Sequence, residues 1–136
     1  MDSYPNLQDV TLLIVEDDDS TRDALGAVFE TAGMQPLFAS DAEDGILLAE
    51  SASPDAVICD IGLPGMDGYY FVQRLRDHEL RNGLMPSVAI ALTGAVSDVA
   101  RLRSMAEGFD HFVEKPVRPE DLLGLLSHGL RKRRAG

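Results

Sequence analysis

The sequence has one cysteine, few bases and no long apolar run, and each shortage excludes something. A lone Cys59 cannot form an intramolecular disulfide, which fits a reducing compartment. Lys and Arg total 12 against 23 Asp and Glu, a formal net charge of −11. Phosphate backbones are bound by clustered positive charge, so a free-standing DNA or RNA binder is excluded. The longest apolar run, Val88-Ala89-Ile90-Ala91-Leu92, is far too short to span a bilayer, so no membrane insertion is expected. Met1-Asp2-Ser3-Tyr4-Pro5 carries neither the basic start nor the apolar stretch of a secretory signal, which sets the expectation of a cytoplasmic protein. What is there is 136 residues, 45% of them hydrophobic, enough for one compact domain with a real core. The expected organisation is a loose lead-in over 1–10, a folded domain over 11–130 and a basic tail over 131–136. The tail's Arg131-Lys132-Arg133-Arg134 run suits a helix C-terminus.

Short apolar runs alternate with helical patterns along the chain. The runs Thr11–Val15, Pro36–Ala39, Ala56–Cys59, Val88–Leu92 and His111–Val113 read as buried strands. Between them, Ala24, Leu25, Val28, Phe29 and Ala32 line one helix face, with Ser20 or Thr21 as its cap and Gly33 as its end. Ala42, Ile46 and Ala49 repeat the pattern after Asp41, and Phe71, Val72 and Leu75 after Asp67-Gly68. Val99, Leu102 and Ala106 do so between Ser97 and Gly108. Leu122, Leu123, Leu126 and Leu130 form the last helix, with Pro119 in its first turn. This alternation predicts an α/β fold: a doubly wound, flavodoxin-like (βα)5 parallel sheet of five strands in order 2-1-3-4-5, with helices on both faces.

In such sheets ligands bind beyond the carboxyl ends of the strands. There the sequence places Glu16 and Asp17, Asp60, Thr93-Gly94, and Lys115-Pro116. Two carboxylates about 4 Å apart repel by roughly 4 kcal/mol at an effective dielectric of about 20, so converging acids raise their pKa values or bind a cation. All-oxygen ligands without His or Cys suit Mg²⁺, with Mn²⁺ or Ca²⁺ as substitutes. Asp18 and Asp19 read instead as solvated acids complementing a helix dipole. A carboxylate at Asp60 can act as a nucleophile on phosphorus, with Lys115 and the Thr93 hydroxyl contacting the phosphoryl group and the small Gly94 letting backbone approach it.

Leu13-Ile14-Val15-Glu16-Asp17-Asp18, Cys59-Asp60-Ile61-Gly62-Leu63-Pro64-Gly65-Met66-Asp67-Gly68, Ala91-Leu92-Thr93-Gly94 and Val113-Glu114-Lys115-Pro116 resemble, in order, the four signatures of bacterial response-regulator receiver domains. The resemblance runs from about Thr11 to about Leu130. It implies a signalling switch rather than an enzyme. Asp60 would take a phosphoryl group from a histidine of a kinase or phosphotransfer protein. Glu16, Asp17, Asp60 and the Gly62 carbonyl would hold Mg²⁺. Thr93 and the aromatic Phe112 would move as the switch, and the Lys115-Pro116 bond would be cis. A downstream protein would dock on the face of the fourth helix, fifth strand and fifth helix, on a monomer or a phosphorylation-dependent dimer.

Departures from that pattern carry expectations of their own. Phe112 lacks the hydroxyl that Tyr supplies in many relatives, so no hydroxyl-mediated lock on the active state is expected; neither Gly62 nor Ala95 can position a hydrolytic water by its side chain, so the phosphoryl group is expected not to be short-lived. Two contexts fit: a free-standing, chemotaxis-type regulator, as the Met1 start and short basic end suggest, or a receiver cut from a hybrid histidine kinase, which Cys59–Tyr69 most resembles. Two other functions fit less well. A flavin-binding redox protein of this fold would meet its phosphate with Glu16-Asp17-Asp18-Asp19, which repels it. An aspartyl-phosphate phosphatase wants a second acid two residues after its nucleophile, where this chain has Gly62. His78, His111 and His128 are scattered and read as surface or structural, Cys59 as packing, and one of Tyr69 and Tyr70 as core-facing.

Overall fold

The computed structural model describes residues 4–62, 67–94 and 97–135. The motif residues Leu63-Pro64-Gly65-Met66 and Ala95 lie outside the described residues. Five strands and five helices alternate: β1 Thr11–Val15, α1 Asp19–Thr31, β2 Gln35–Ala39, α2 Ala42–Ala52, β3 Ala56–Asp60, α3 Gly68–Arg81, β4 Val88–Thr93, α4 Asp98–Glu107, β5 His111–Glu114 and α5 Pro119–Ala135. The strands pair in parallel in the order β2-β1-β3-β4-β5, as the alternation predicts.

Two cores arise from the two-residue period of the strands. Leu12, Ile14, Ile58, Ile90 and Leu92 point to one face and meet Leu25 and Phe29 of α1 and Leu122, Leu126 and Leu130 of α5. Leu13, Val15, Val57, Cys59 and Ala91 point to the other and meet Ile46 of α2 and Phe71, Val72 and Leu75 of α3. Cys59 is accordingly a packing residue, its thiol pushed well above its ordinary pKa by burial and by neighbouring Asp60. Tyr69 faces the core and Tyr70 is exposed.

Several sequence expectations are corrected. The central strands are buried throughout, but β2 and β5 are only partly covered, because each lies at a sheet edge with one neighbour. Three strands run one residue further than their apolar letters, so that Asp60, Thr93 and Glu114 are terminal strand residues. Asp18, not Ser20 or Thr21, caps α1: its carboxylate accepts from the Thr21 N–H at 2.8 Å. Residues 4–10 are not a loose lead-in. A 3₁₀ turn over Pro5–Leu7 buries Leu7, and the Asn6 side chain donates to the Ser127 carbonyl of α5 and accepts from the Ser127 hydroxyl.

The largest correction concerns α4. The spacing of Val99, Leu102 and Ala106 predicts an apolar face for packing, yet Val99 is 76% and Leu102 70% exposed, Ala106 is exposed, and Ser104 is the buried residue. Polar and aromatic contacts hold the inner face instead. The Ser104 hydroxyl donates to the Tyr69 oxygen, the Tyr69 hydroxyl donates to the Ala100 carbonyl, and Arg103 stacks over the Tyr69 ring at 4.0 Å. At the other end of the sheet α5 continues as helix through the basic run. Arg133 reaches back to Asp55 and to the Met85 and Pro86 carbonyls.

Candidate functional site

Every strand of the central sheet ends at one rim, and that rim collects the chemistry. Glu16 follows β1, its N–H held by the Ala39 carbonyl at 3.0 Å. Its side chain is 1% exposed. Asp17 next to it points outward and is exposed. Asp60 closes β3 and is buried, 8% exposed. Carboxylate oxygens of Glu16, Asp17 and Asp60 all lie within 4.8 Å of one another. This all-oxygen donor set, with an opening on the Asp17 side, could hold a hard divalent cation.

Lys115 enters from the carboxyl end of the edge strand β5. Its backbone N–H bonds the Thr93 carbonyl at 2.7 Å, continuing the β4–β5 ladder beyond β5, and the Lys115-Pro116 peptide is cis. The ammonium donates to Glu16 Oε1 at 2.7 Å and to Asp60 Oδ2 at 2.9 Å. Burial raises the Glu16 pKa above the ordinary carboxylate value, with the neighbouring Asp60 adding to it and the Lys115 bond opposing it. For Lys115, burial works against the charged form, but its bonds to Glu16 and Asp60 prevail and hold its pKa above the usual lysine value.

Asp60 is fixed on its other oxygen, Oδ1 accepting from the Gly62 N–H at 2.8 Å. Thr93 is buried at the end of β4, and the Gly94 that follows leaves open space where a Cβ would stand, with none of the described atoms within 4 Å. Phe112 on β5 is half-buried, with the Arg101 guanidinium 5.7 Å from its ring centre. The fold thus brings together Glu16, Asp17, Asp60 and Lys115 by direct geometry and places Gly62, Thr93 and Gly94 on the same rim.

Two supporting residues have no site role in the sequence reading. Arg22 donates to the Glu16 carbonyl at 2.9 Å and pairs with Asp19, so the first turn of α1 buttresses the acid loop. Its position four residues after the cap at Asp18 was the available signal. Gly68 starts α3 directly over the Asp60-Ile61 backbone: a Cβ there would sit 2.7 Å from Ile61 Cα and 2.8 Å from the Asp60 carbonyl oxygen. The three scattered histidines take no part in the rim, as expected.

Comparison with known proteins places this geometry. The response regulator receiver domain family matches residues 12–127. A cyclic di-GMP phosphodiesterase of Thermotoga maritima is 34% identical over 125 residues, 91% of this chain and 32% of that protein. An uncharacterized 14.6 kDa protein of Leptolyngbya boryana is 34% identical over 121 residues, 88% of this chain and 89% of its own length. The chain therefore spans about a third of one relative and most of the other. The crystal structure of a response regulator receiver domain protein from Methanospirillum hungatei superposes with a TM-score of 0.82 at 29% identity, covering 94% of this chain and 98% of that one. These likenesses give no support to the flavin-binding reading. Sheet order, rim geometry and family match agree: the chain belongs to the response regulator receiver domains of two-component and phosphorelay systems.

Proposed function

We propose that Asp60 is the phosphoacceptor of this receiver domain and that Glu16, Asp17, Asp60 and the Gly62 carbonyl hold Mg²⁺. One observation carries the reading: a single ammonium, Lys115, bridges Glu16 and Asp60, two buried carboxylates at the end of a parallel sheet. In the reaction a carboxylate oxygen of Asp60 attacks the phosphorus of a partner's phosphohistidine. The O–P bond forms as the P–N bond breaks, and the imidazole leaves with the electron pair and takes up a proton from solvent. Bound Mg²⁺ would offset the negative charge that repels an incoming phosphoryl group. Lys115 turns its ammonium from the Asp60 carboxylate toward the phosphoryl oxygens, and the Thr93 hydroxyl and the backbone at Gly94 complete the cradle.

The partners are a histidine kinase or histidine phosphotransfer protein upstream, and downstream a protein met on the face of α4, β5 and α5. Thr93 and Phe112 carry the change to that face. The reading is a switch and not a turnover enzyme, because Gly62 offers no acid two residues beyond Asp60. A cytoplasmic setting accords with a single buried free cysteine. Among the described residues no helix is long and apolar enough to cross a membrane.

The test is incubation with a small phosphodonor and Mg²⁺, followed by intact mass measurement. One phosphoryl adduct is expected, lost in Asp60→Asn and absent with chelator. An unmodified wild-type protein under these conditions overturns the assignment.

A further inference from the structure

At the other end of the sheet from Asp60, where β4 and β5 begin, a cleft of about 540 Å³ lies between α5 and the segment leading into β4. Its apolar wall includes Met85 and Val88, and its polar wall is made by His111 at the start of β5 and by His128, Lys132 and Arg133 of α5. Gly129 lets α5 approach, since a Cβ there would stand 2.9 Å from Val88 Cγ1. The charges are not alike. Arg133 is committed to Asp55 and two carbonyls. Asp110, the acid in the lining, has its Oδ2 taken by Arg76 at 3.1 Å and the Ala89 N–H at 2.8 Å. Among the described residues the side chains of His111, His128 and Lys132 have no hydrogen bond or ion pair. An acidic chain of net charge −11 thus gathers one lysine and two imidazoles, all without a side-chain partner among the described residues, on one cleft.

We propose that this cleft binds a small phosphate ester. Lys132 and the two imidazoles receive the phosphate, which accepts their N–H groups, and the Met85–Val88 wall takes the apolar body. The site stands apart from the acidic rim and does not depend on Asp60 chemistry.

The experiment is a titration of the ¹⁵N-labelled chain with adenosine monophosphate, with inorganic phosphate and adenosine as parallel arms, in chelator so that the acid rim holds no cation. Saturable shifts of the His111 and Gly129 amides are expected with adenosine monophosphate, with a dissociation constant below about 1 mM. Binding should weaken at least about tenfold in His128→Ala/Lys132→Ala, survive Lys132→Arg, and be unchanged in Asp60→Asn. Weaker saturation by inorganic phosphate supports an ester with an organic body, whereas equal affinity overturns the role of the apolar wall. Equal shifts with adenosine, no saturation by about 10 mM, or binding indifferent to the double substitution overturns the site. His128 and Lys132 are exposed, so the double variant is expected to fold, and an unchanged spectrum away from the cleft verifies it.

Discussion

The ammonium of Lys115 stands 2.7 Å from Oε1 of Glu16, a carboxylate with 1% of its side chain exposed. The pair explains how an acid can follow a buried strand in a protein already rich in acid. Lys115 is partly solvated, so the bond is worth less than a fully buried one, but Glu16 has few other partners. Lys115→Met should lower the stability of the metal-free protein by about 1–3 kcal/mol, the cost of a buried group left unsatisfied. With the ammonium gone, three acids face one another unopposed. Mg²⁺ should therefore raise the melting temperature of the variant more than that of the wild type. Thermal melts of both proteins, with and without Mg²⁺, check this, and an equal metal response counts against it.

The same bonds set a pH dependence. The folded-state pKa of Lys115 lies above its unfolded value. Its contribution to stability is therefore fully present below the unfolded pKa, about 10.4, and is lost as pH rises through the folded value. Urea melts from neutral to strongly alkaline pH should show the stability gap between wild type and Lys115→Met narrowing only above that point. A gap that closes between pH 6 and 8 would point to another group.

At the start of α3 the constraint is steric. Gly68→Ala places a methyl group against backbone, 2.7 Å from Ile61 Cα and 2.8 Å from the Asp60 carbonyl oxygen, which no rotamer change relieves. A loss of about 1–3 kcal/mol is expected, with slower adduct formation because the strand end carrying Asp60 must shift. Gly124→Ala is the matched comparison. It lies within α5 with the Tyr4 hydroxyl 3.8 Å away, and it should be neutral or stabilising by up to about 1 kcal/mol.

Glu79 tests stability without touching the rim. It is buried, and its carboxylate takes the Ser87 N–H at 2.8 Å, the Ser87 hydroxyl at 2.7 Å and Arg76 at 2.8 Å. Glu79→Ala strands those donors at the entrance to β4 and should cost roughly 3 kcal/mol in chemical denaturation. Adduct formation on Asp60 at low temperature should be unchanged. A large loss of phosphorylation in a folded variant would show that the two ends of the sheet are coupled.

The sequence alone determined the sheet and the members of the rim. Buried parallel strands are continuous apolar runs, and the residue that ends such a run is carried to the ligand edge whatever the details of packing, so Glu16, Asp60, Thr93 and Lys115 could be named in advance. Three things needed the tertiary structure. Periodicity shows that α4 is amphipathic but not which way its stripe turns. Tyr69, Ser104 and Arg103 decided that, leaving Val99 and Leu102 in solvent. Composition shows 23 acids but not their partners: Asp110 is tied to Arg76, and Asp55 to Arg133, by contacts that no local spacing encodes. The bridge from Lys115 to Glu16 joins residues 99 positions apart. A local pattern fixes which residues reach an edge, because backbone period and burial act over a few residues. Which charges meet across that edge depends on how distant strands are brought side by side, and only the folded sheet decides it.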